Sequence, residues 1–199
     1  SVDYKTSHGN IHALENIEFQ LEDGESIGIA GESACGKSTL GLSIIRMIQG
    51  GNIVSGKITF MGESILDMPE SKFDESIRWK EISMIFQGAM NSLDPVFTIQ
   101  QQFDEVLKQH GFDSNADKII RDVIHAVNLD YSVLEKYPHE LSGGMKQRIV
   151  IAMALLLKPK FVIADEPTTA LDVLVQATII NLIKNLKKKG MSLMLISHD

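Results

Sequence analysis

Cysteine is nearly absent. Cys35 is the only thiol in 199 residues, which excludes an internal disulfide and suits a reducing compartment. Long apolar runs are missing too. The longest, residues 149–157, falls far short of the ~18 residues that cross a bilayer and reads as a buried core helix. Basic charge is scarce: 19 Lys and Arg stand against 26 Asp and Glu, a formal net charge of −7. A nucleic-acid binder usually carries a basic face, so no nucleic-acid partner is expected. The one charge run, Lys187-Lys188-Lys189, sits where a helix should end, and it reads as a solvated helix end that suits the helix dipole. There is no internal repeat and no signal-peptide pattern. Both ends read as cut. The chain begins within a first strand and stops just past the apolar run Leu193-Met194-Leu195-Ile196, so a piece of a longer protein is expected. The composition that remains, 44% hydrophobic and 23% charged, is that of one globular domain with room for a subdomain.

The stretch Gly31-Glu32-Ser33-Ala34-Cys35-Gly36-Lys37-Ser38-Thr39 fits the phosphate-binding pattern G-x-x-x-x-G-K-[ST]. Before it, residues 25–30 read as a short buried strand. After it, Leu40, Ile44, Ile45 and Ile48 recur at helical spacing, and the helix should run to the Gly50-Gly51-Asn52 break. Glycines in such a loop let successive N–H groups point at phosphate oxygens, and the helix that follows adds its positive end. Lys37 should reach the outer phosphates. Ser38 should offer its hydroxyl to Mg²⁺, and Thr39 should bond an inner phosphate. Cys35 reads as a small filler within the loop.

The rest of the chain alternates short apolar strands with helices. Ser7-His8-Gly9-Asn10 reads as a turn. Residues 11–21 read as a strand with Ile17, Phe19 and Leu21 on one face, and 53–62 as β-structure with a tight glycine turn. A short helix is expected within 68–79, a buried strand at 82–86 ending at Gln87, and a loop over 88–98. Residues 99–137 turn helical. Further helices fit 143–157 and 173–189, with strands at 161–165 and 191–196. The expectation is an α/β fold: a mostly parallel sheet flanked by helices, a small antiparallel part and an inserted helical subdomain. Its core would be 1–87 and 158–199, with the helical subdomain at about 88–157. Ligands of such sheets sit at the carboxyl ends of strands, where the phosphate loop, Gln87, Asp165 and His198 all fall.

Two further stretches carry chemistry. Phe161 to Glu166 is an apolar strand ending in two acids. Asp165 at its tip is suited to hold Mg²⁺, and Glu166 one residue on is placed to polarise a water for attack on a γ-phosphate. In Leu141-Ser142-Gly143-Gly144-Met145-Lys146-Gln147-Arg148, Ser142 can cap the helix that follows, and the glycines leave its first N–H groups uncovered. That is a second anion site. It makes sense between two chains, closing over the γ-phosphate held by a partner's loop.

Taken in order, the phosphate loop, Gln87, Leu141-Ser142-Gly143-Gly144, Asp165-Glu166, Thr169-Ala170-Leu171-Asp172 and Ser197-His198-Asp199 resemble the motifs of the ATP-binding subunits of ABC transporters, across nearly the whole chain. Residues 91–99 (Asn91-Ser92-Leu93-Asp94-Pro95 onward), Tyr137-Pro138-His139-Glu140 and Pro167-Thr168-Thr169 resemble the oligopeptide/dipeptide/nickel importer branch.

The resemblance implies an ATPase with ATP and Mg²⁺ as ligands. It implies that Tyr4 stacks on adenine and that residues Gly31 to Thr39, including Glu32, Ser33, Ala34, Cys35 and Gly36, bind nucleotide. Lys37, Ser38 and Thr39 would meet the phosphates and Mg²⁺. Gln87 would contact Mg²⁺ or the attacking water and relay nucleotide state. Ser142, Gly143 and Gly144 would engage the partner's γ-phosphate, and Asp172 would lie at the dimer seam. Asp165 would hold Mg²⁺, Glu166 would act as general base, and His198 would contact the γ-phosphate. It also implies a second ATP-binding subunit, two membrane permease subunits, an external solute-binding protein and a place on the cytoplasmic face of the membrane. Peptide uptake is the leading expectation, with nickel or another small solute as its alternative. Two rivals are a soluble ATPase of the same type acting on nucleic acid or ribosomes, and a regulatory module that binds nucleotide without hydrolysing it. The chain departs from the family at Ala34, where glycine is usual. If that position needs a positive φ, alanine strains the loop.

Overall fold

The computed structural model describes residues 1–6, 9–112, 115–169, 171–188 and 190–198. Ser7, His8, Ala170, Lys189 and Asp199, on which several sequence expectations fall, lie outside them. Four strands form one wholly parallel sheet: β3 (Ser26–Ala30), β7 (Ile82–Ile85), β8 (Phe161–Asp165) and β9 (Ser192–Ser197), in the order β3-β9-β8-β7. A three-stranded antiparallel ribbon holds β1 (Val2–Thr6) between β2 (Gly9–Leu14) and β4 (Gly51–Ile53). A tight hairpin joins β5 (Thr59–Phe60) to β6 (Glu63–Ser64). This is the α/β fold with a small antiparallel part that the sequence pattern predicts.

Helices cover both faces of the parallel sheet. On one face α1 (Lys37–Ile44) and α2 (Glu70–Ser76) bury Ile44, Ile45, Met68, Phe73 and Ile77 against Ile163, Met194 and Ile196. On the other, α3 (Ile99–Gln109), α4 (Ala116–Ala126), α5 (Gly143–Leu155) and α6 (Val173–Lys187) pack around Phe103, Ile120, Ile124, Ile149 and Ile179, a core continuous with Ile85, Val162 and Leu193 of the sheet. The starts of three of these helices follow from capping. Thr98 and Gln101 form a reciprocal box at α3, Ser142 caps α5 and Asp172 caps α6. Buried Gln102 bonds Asp94 and the Phe97 carbonyl and so shapes the loop after Gln87.

Register decides where the chemistry collects. Ala164 lies opposite Ile85, Asp165 opposite Ile196, and Ala30 opposite Ser197. The four carboxyl ends are therefore level, which brings the phosphate loop, Gln87, Glu166 and His198 to one edge.

Three expectations are corrected. The strand expected over 11–21 ends at Leu14. Leu14 pairs with Val2, Asn16 turns into the left-handed region at φ 52, and Ile17 and Phe19 are 54% and 39% exposed. The strand before the phosphate loop is half-buried: Ile27 and Ile29 face the core while Ser26, Gly28 and Ala30 are exposed, because β3 pairs only with β9 among the described residues. α1 stops at Ile44 and not at Gly50, since Arg46 takes φ 58 and its guanidinium bonds the Ile65 and Met68 carbonyls. Among the described residues no helix is long and apolar enough to cross a membrane.

Candidate active site

The phosphate loop turns from β3 into α1 through residues 31–36. Gly36 has φ +94, and a Cβ built there would stand 2.4 Å from the Ala13 carbonyl oxygen, so only glycine fits. α1 has no side-chain cap and no acid in its first turn, which leaves its positive end for an anion. Lys37 opens the helix. It is only 8% exposed, and its ammonium donates to the carbonyls of Gly31 at 2.6 Å and Glu32 at 2.5 Å, with Cys35 Sγ at 3.6 Å.

Ala34 sits at φ 62, in the left-handed region. An alanine there is strained by about 1 kcal/mol relative to glycine. Ala34→Gly is therefore expected to tighten binding of MgATP, the ligand the resemblance implies, by up to about fivefold for that much strain, or to leave it unchanged, as read by titration calorimetry. Weaker binding would refute the strain.

The loop walls an open cavity of about 500 Å³, with residues 33–39 on one side and Tyr4, Ile11, His12, Ala13, Gln87 and Glu166 around the rest. Tyr4 reaches it from β1, its hydroxyl 3.4 Å from Thr39 Oγ1. Ile11 and His12 carry no motif. Their place follows only from the β1–β2 pairing, which sets Ile11 opposite Tyr4.

The two acids differ in surroundings. Asp165 is 3% exposed, and its Oδ1 has no hydrogen-bond partner. Burial pushes its carboxyl above the ordinary value, the nearby Glu166 charge adds to that, and the Ser38 hydroxyl and Lys37 oppose it. Glu166 sits just past the strand at φ 45, its N–H donating to the Ile196 carbonyl at 3.0 Å. Its Oε2 accepts from the Thr169 hydroxyl and from Gln87 Nε2, both at 2.8 Å, and its Oε1 lies 3.2 Å from His198 Nδ1. The Thr169 hydrogen bond first, then His198 and Lys37, hold its carboxyl below the ordinary value, so Glu166 stays ionised. Thr169 is the one contact here that the motif reading gave no role. The turn that returns the Thr169 N–H to the Glu166 carbonyl also returns its hydroxyl to the carboxylate.

Ser142, Gly143, Gly144 and Asp172 do not line this cavity. They form a second cradle. Ser142 and Gly143 are exposed, with Ser142 Oγ accepting from the Met145 N–H at 3.3 Å. Gly144 is buried, and a Cβ there would come within 2.7 Å of Val175 on the helix that Asp172 caps. Gln147 ties α5 to the turn after the acids by donating to the Pro167 carbonyl at 2.8 Å. One chain thus offers a phosphate loop with an ionised acid at its mouth, and a separate Ser142-capped helix start outside that cavity.

Comparison with known proteins settles the kinship. The ABC transporter family pattern matches residues 14–169. The chain belongs to the ABC transporter family. It is 41% identical over 203 residues to the oligopeptide transport ATP-binding protein OppD of Escherichia coli, covering 100% of this chain and 60% of that protein. It is 44% identical over 194 residues to the probable peptide ABC transporter ATP-binding protein y4tR of Sinorhizobium fredii, covering 94% and 58%. The chain therefore spans about 60% of the length of these relatives. A dimeric structure of the ATP-binding cassette MJ0796 in a post-hydrolysis state, bound to ADP and Pi, superposes with a TM-score of 0.85 at 28% identity, covering 99% of this chain and 84% of that one. As an ABC family member the chain has its motifs at these strand ends and helix starts: the phosphate loop after β3, Gln87 after β7, the Asp165-Glu166 pair after β8 and the Ser142-Gly143-Gly144 signature opening α5.

Proposed function

We propose that this chain is the ATP-hydrolysing cassette of an ABC importer that takes up peptides. The observation that carries hydrolysis is Glu166: an ionised carboxylate at the mouth of the phosphate-loop cavity, aimed by Gln87, Thr169 and His198. The names of the relatives at 41% and 44% identity support peptides as the cargo.

In this reading Tyr4 stacks on the adenine. Lys37 exchanges two backbone carbonyls for phosphate oxygens, which are charged and therefore stronger acceptors. The residues present fit Mg²⁺. Asp165 offers a buried oxygen without a partner, Ser38 lies beside it, and Gln87 stands across the cavity. When bound, Mg²⁺ neutralises the charge of the outer phosphate oxygens. Glu166 takes the proton of the water that attacks the γ-phosphorus, and the β–γ bridging oxygen leaves with ADP. His198 donates toward the γ-phosphate.

The signature cradle completes a partner's site, so two cassettes, identical or homologous, clamp two nucleotides. Closure of the clamp is the work passed to two permease subunits at the cytoplasmic face of the membrane, with an external binding protein delivering the solute. The core would be residues 1–87 and 158–199, and the helical subdomain 88–157. Purification of the full-length chain from native membranes in mild detergent tests this reading. Two hydrophobic permease subunits, a second ATPase and a peptide-loaded binding protein are expected with it. Recovery without permeases, or with ribosomes, would refute the importer.

A further inference from the structure

Trp79 is a bulky residue at φ 69, a backbone state that side chains of its size seldom adopt. Such a conformation persists where the surroundings fix it, and here they do so from two sides. Its N–H donates to the Ile82 carbonyl at 2.8 Å, which sets it at the head of β7, the strand that ends beside Gln87. Its indole Nε1 donates to the Met153 carbonyl at 3.0 Å, in the last turn of α5, a carbonyl that also accepts the Leu156 N–H closing that helix at 3.2 Å. The ring also meets His110, the residue that closes α3, at 6.2 Å between centroids. The preceding residue does the same for α1. Arg78 Nε donates to the Ile45 carbonyl at the end of that helix at 3.2 Å, and the Arg78 guanidinium lies over the Phe73 ring and pairs with Glu70 at 2.7 Å.

Two consecutive residues therefore hold the C-terminal ends of two helices. These are the helices whose N-terminal ends carry the phosphate loop and the signature. β7, which follows Arg78 and Trp79, leads to Gln87 two residues past its end.

We propose that Arg78 and Trp79 form a clasp at the far ends of α1 and α5, and that Trp79 is a positioning residue: it sets where the signature end of α5 stands relative to the phosphate loop and Gln87. Trp79 touches neither the cavity nor Glu166, so it acts only through the helix it holds. The consequence rests on the composite site proposed above. A fixed α5 presents Ser142 and Gly143 to the partner's nucleotide at one distance from the chain's own loop. A released α5 still leaves that loop able to bind nucleotide.

Trp79→Phe in the full-length protein tests this, because it keeps an aromatic ring at the position and removes the Nε1–H donor. At saturating MgATP its turnover should fall about fivefold, the effect of a coupling contact of this size, while KM for MgATP stays within about twofold. Tm should fall by only about 2–4 °C, as loss of one hydrogen bond predicts for a domain of this size. The part of the tryptophan emission that this substitution abolishes should shift when MgATP binds the wild-type protein. Wild-type turnover by Trp79→Phe, with that emission indifferent to nucleotide, overturns the clasp. Trp79→Gly, which relieves the backbone and removes the ring, should be slowed at least as much. Wild-type turnover there would reduce Trp79 to a strained bystander. If the wild-type protein bound MgATP and released no phosphate, the hydrolytic reading would fail, and the nucleotide-dependent emission would still decide the clasp.

Discussion

Glu166→Gln in the full-length protein should bind MgATP as the wild type does and hydrolyse it about 10²–10⁴-fold more slowly, the usual span for loss of a positioned general base. The substitution keeps the shape of the side chain. The amide oxygen can still accept from the Thr169 hydroxyl and Gln87 Nε2, which lie 2.8 Å from Glu166 Oε2. The fold and the cavity are therefore retained, and what is lost is the ability to take a proton from water. The ionised state matters as much as the position. Thr169 and His198 donate to the carboxylate or lie against it and hold it ionised, whereas burial pushes Asp165 one residue earlier the other way. In the proposed function Glu166 receives the proton and Asp165 holds the cation. Calorimetry for binding and phosphate release for turnover check the two halves of the prediction. Turnover by Glu166→Gln at the wild-type rate would remove the base from the account.

Gly36→Ala should weaken nucleotide binding strongly while Ala34→Gly leaves it intact or tighter. The contrast lies in what surrounds each Cβ. Gly36 has φ +94, and its Cβ would overlap the Ala13 carbonyl at 2.4 Å and press Leu14 at 3.1 Å. The backbone cost of about 1–2 kcal/mol adds to an overpacking cost of about 1–3 kcal/mol. The loop can escape only by moving, and movement takes the Lys37 end of α1 away from the phosphates. Affinity for MgATP should fall about 30-fold or more, taking tenfold per ~1.4 kcal/mol. Binding by Gly36→Ala within a few fold of wild type would mean that the loop accommodates nucleotide in a shape other than this one.

Much of this site was readable before the fold. The spacing of Gly31, Gly36 and Lys37 after a strand, and of Ser142 before an apolar helix, states local geometry directly, because capping and loop closure act within a few residues. The acids at the tip of an unbroken apolar strand belong to the same class, since β8 is buried along its whole length. What was not readable depends on partners distant in sequence or on single backbone turns. Ile17 and Phe19 alternate as in a strand, yet after the left-handed turn at Asn16 no strand partner meets them among the described residues. α1 ends at Ile44, six residues before Gly50, because Arg46 turns into the left-handed region with its guanidinium held by carbonyls 19 and 22 residues away. Ile11 and His12 enter the cavity only because β2 pairs with β1. The grip of Trp79 on Met153 spans 74 residues, which no local pattern encodes.

In the proposed dimer the signature of one cassette closes on the phosphate loop of another, and Cys35, the only thiol of residues 1–199, offers a direct test. Cys35 is exposed and lines the phosphate-loop cavity, while Ser142 lies outside it. In full-length protein carrying Ser142→Cys and Glu166→Gln, mild oxidation with MgATP should give a disulfide between Cys35 of one chain and position 142 of its partner. Its yield should fall sharply without nucleotide. A disulfide closed within a single chain, or a cross-link indifferent to MgATP, would contradict the account.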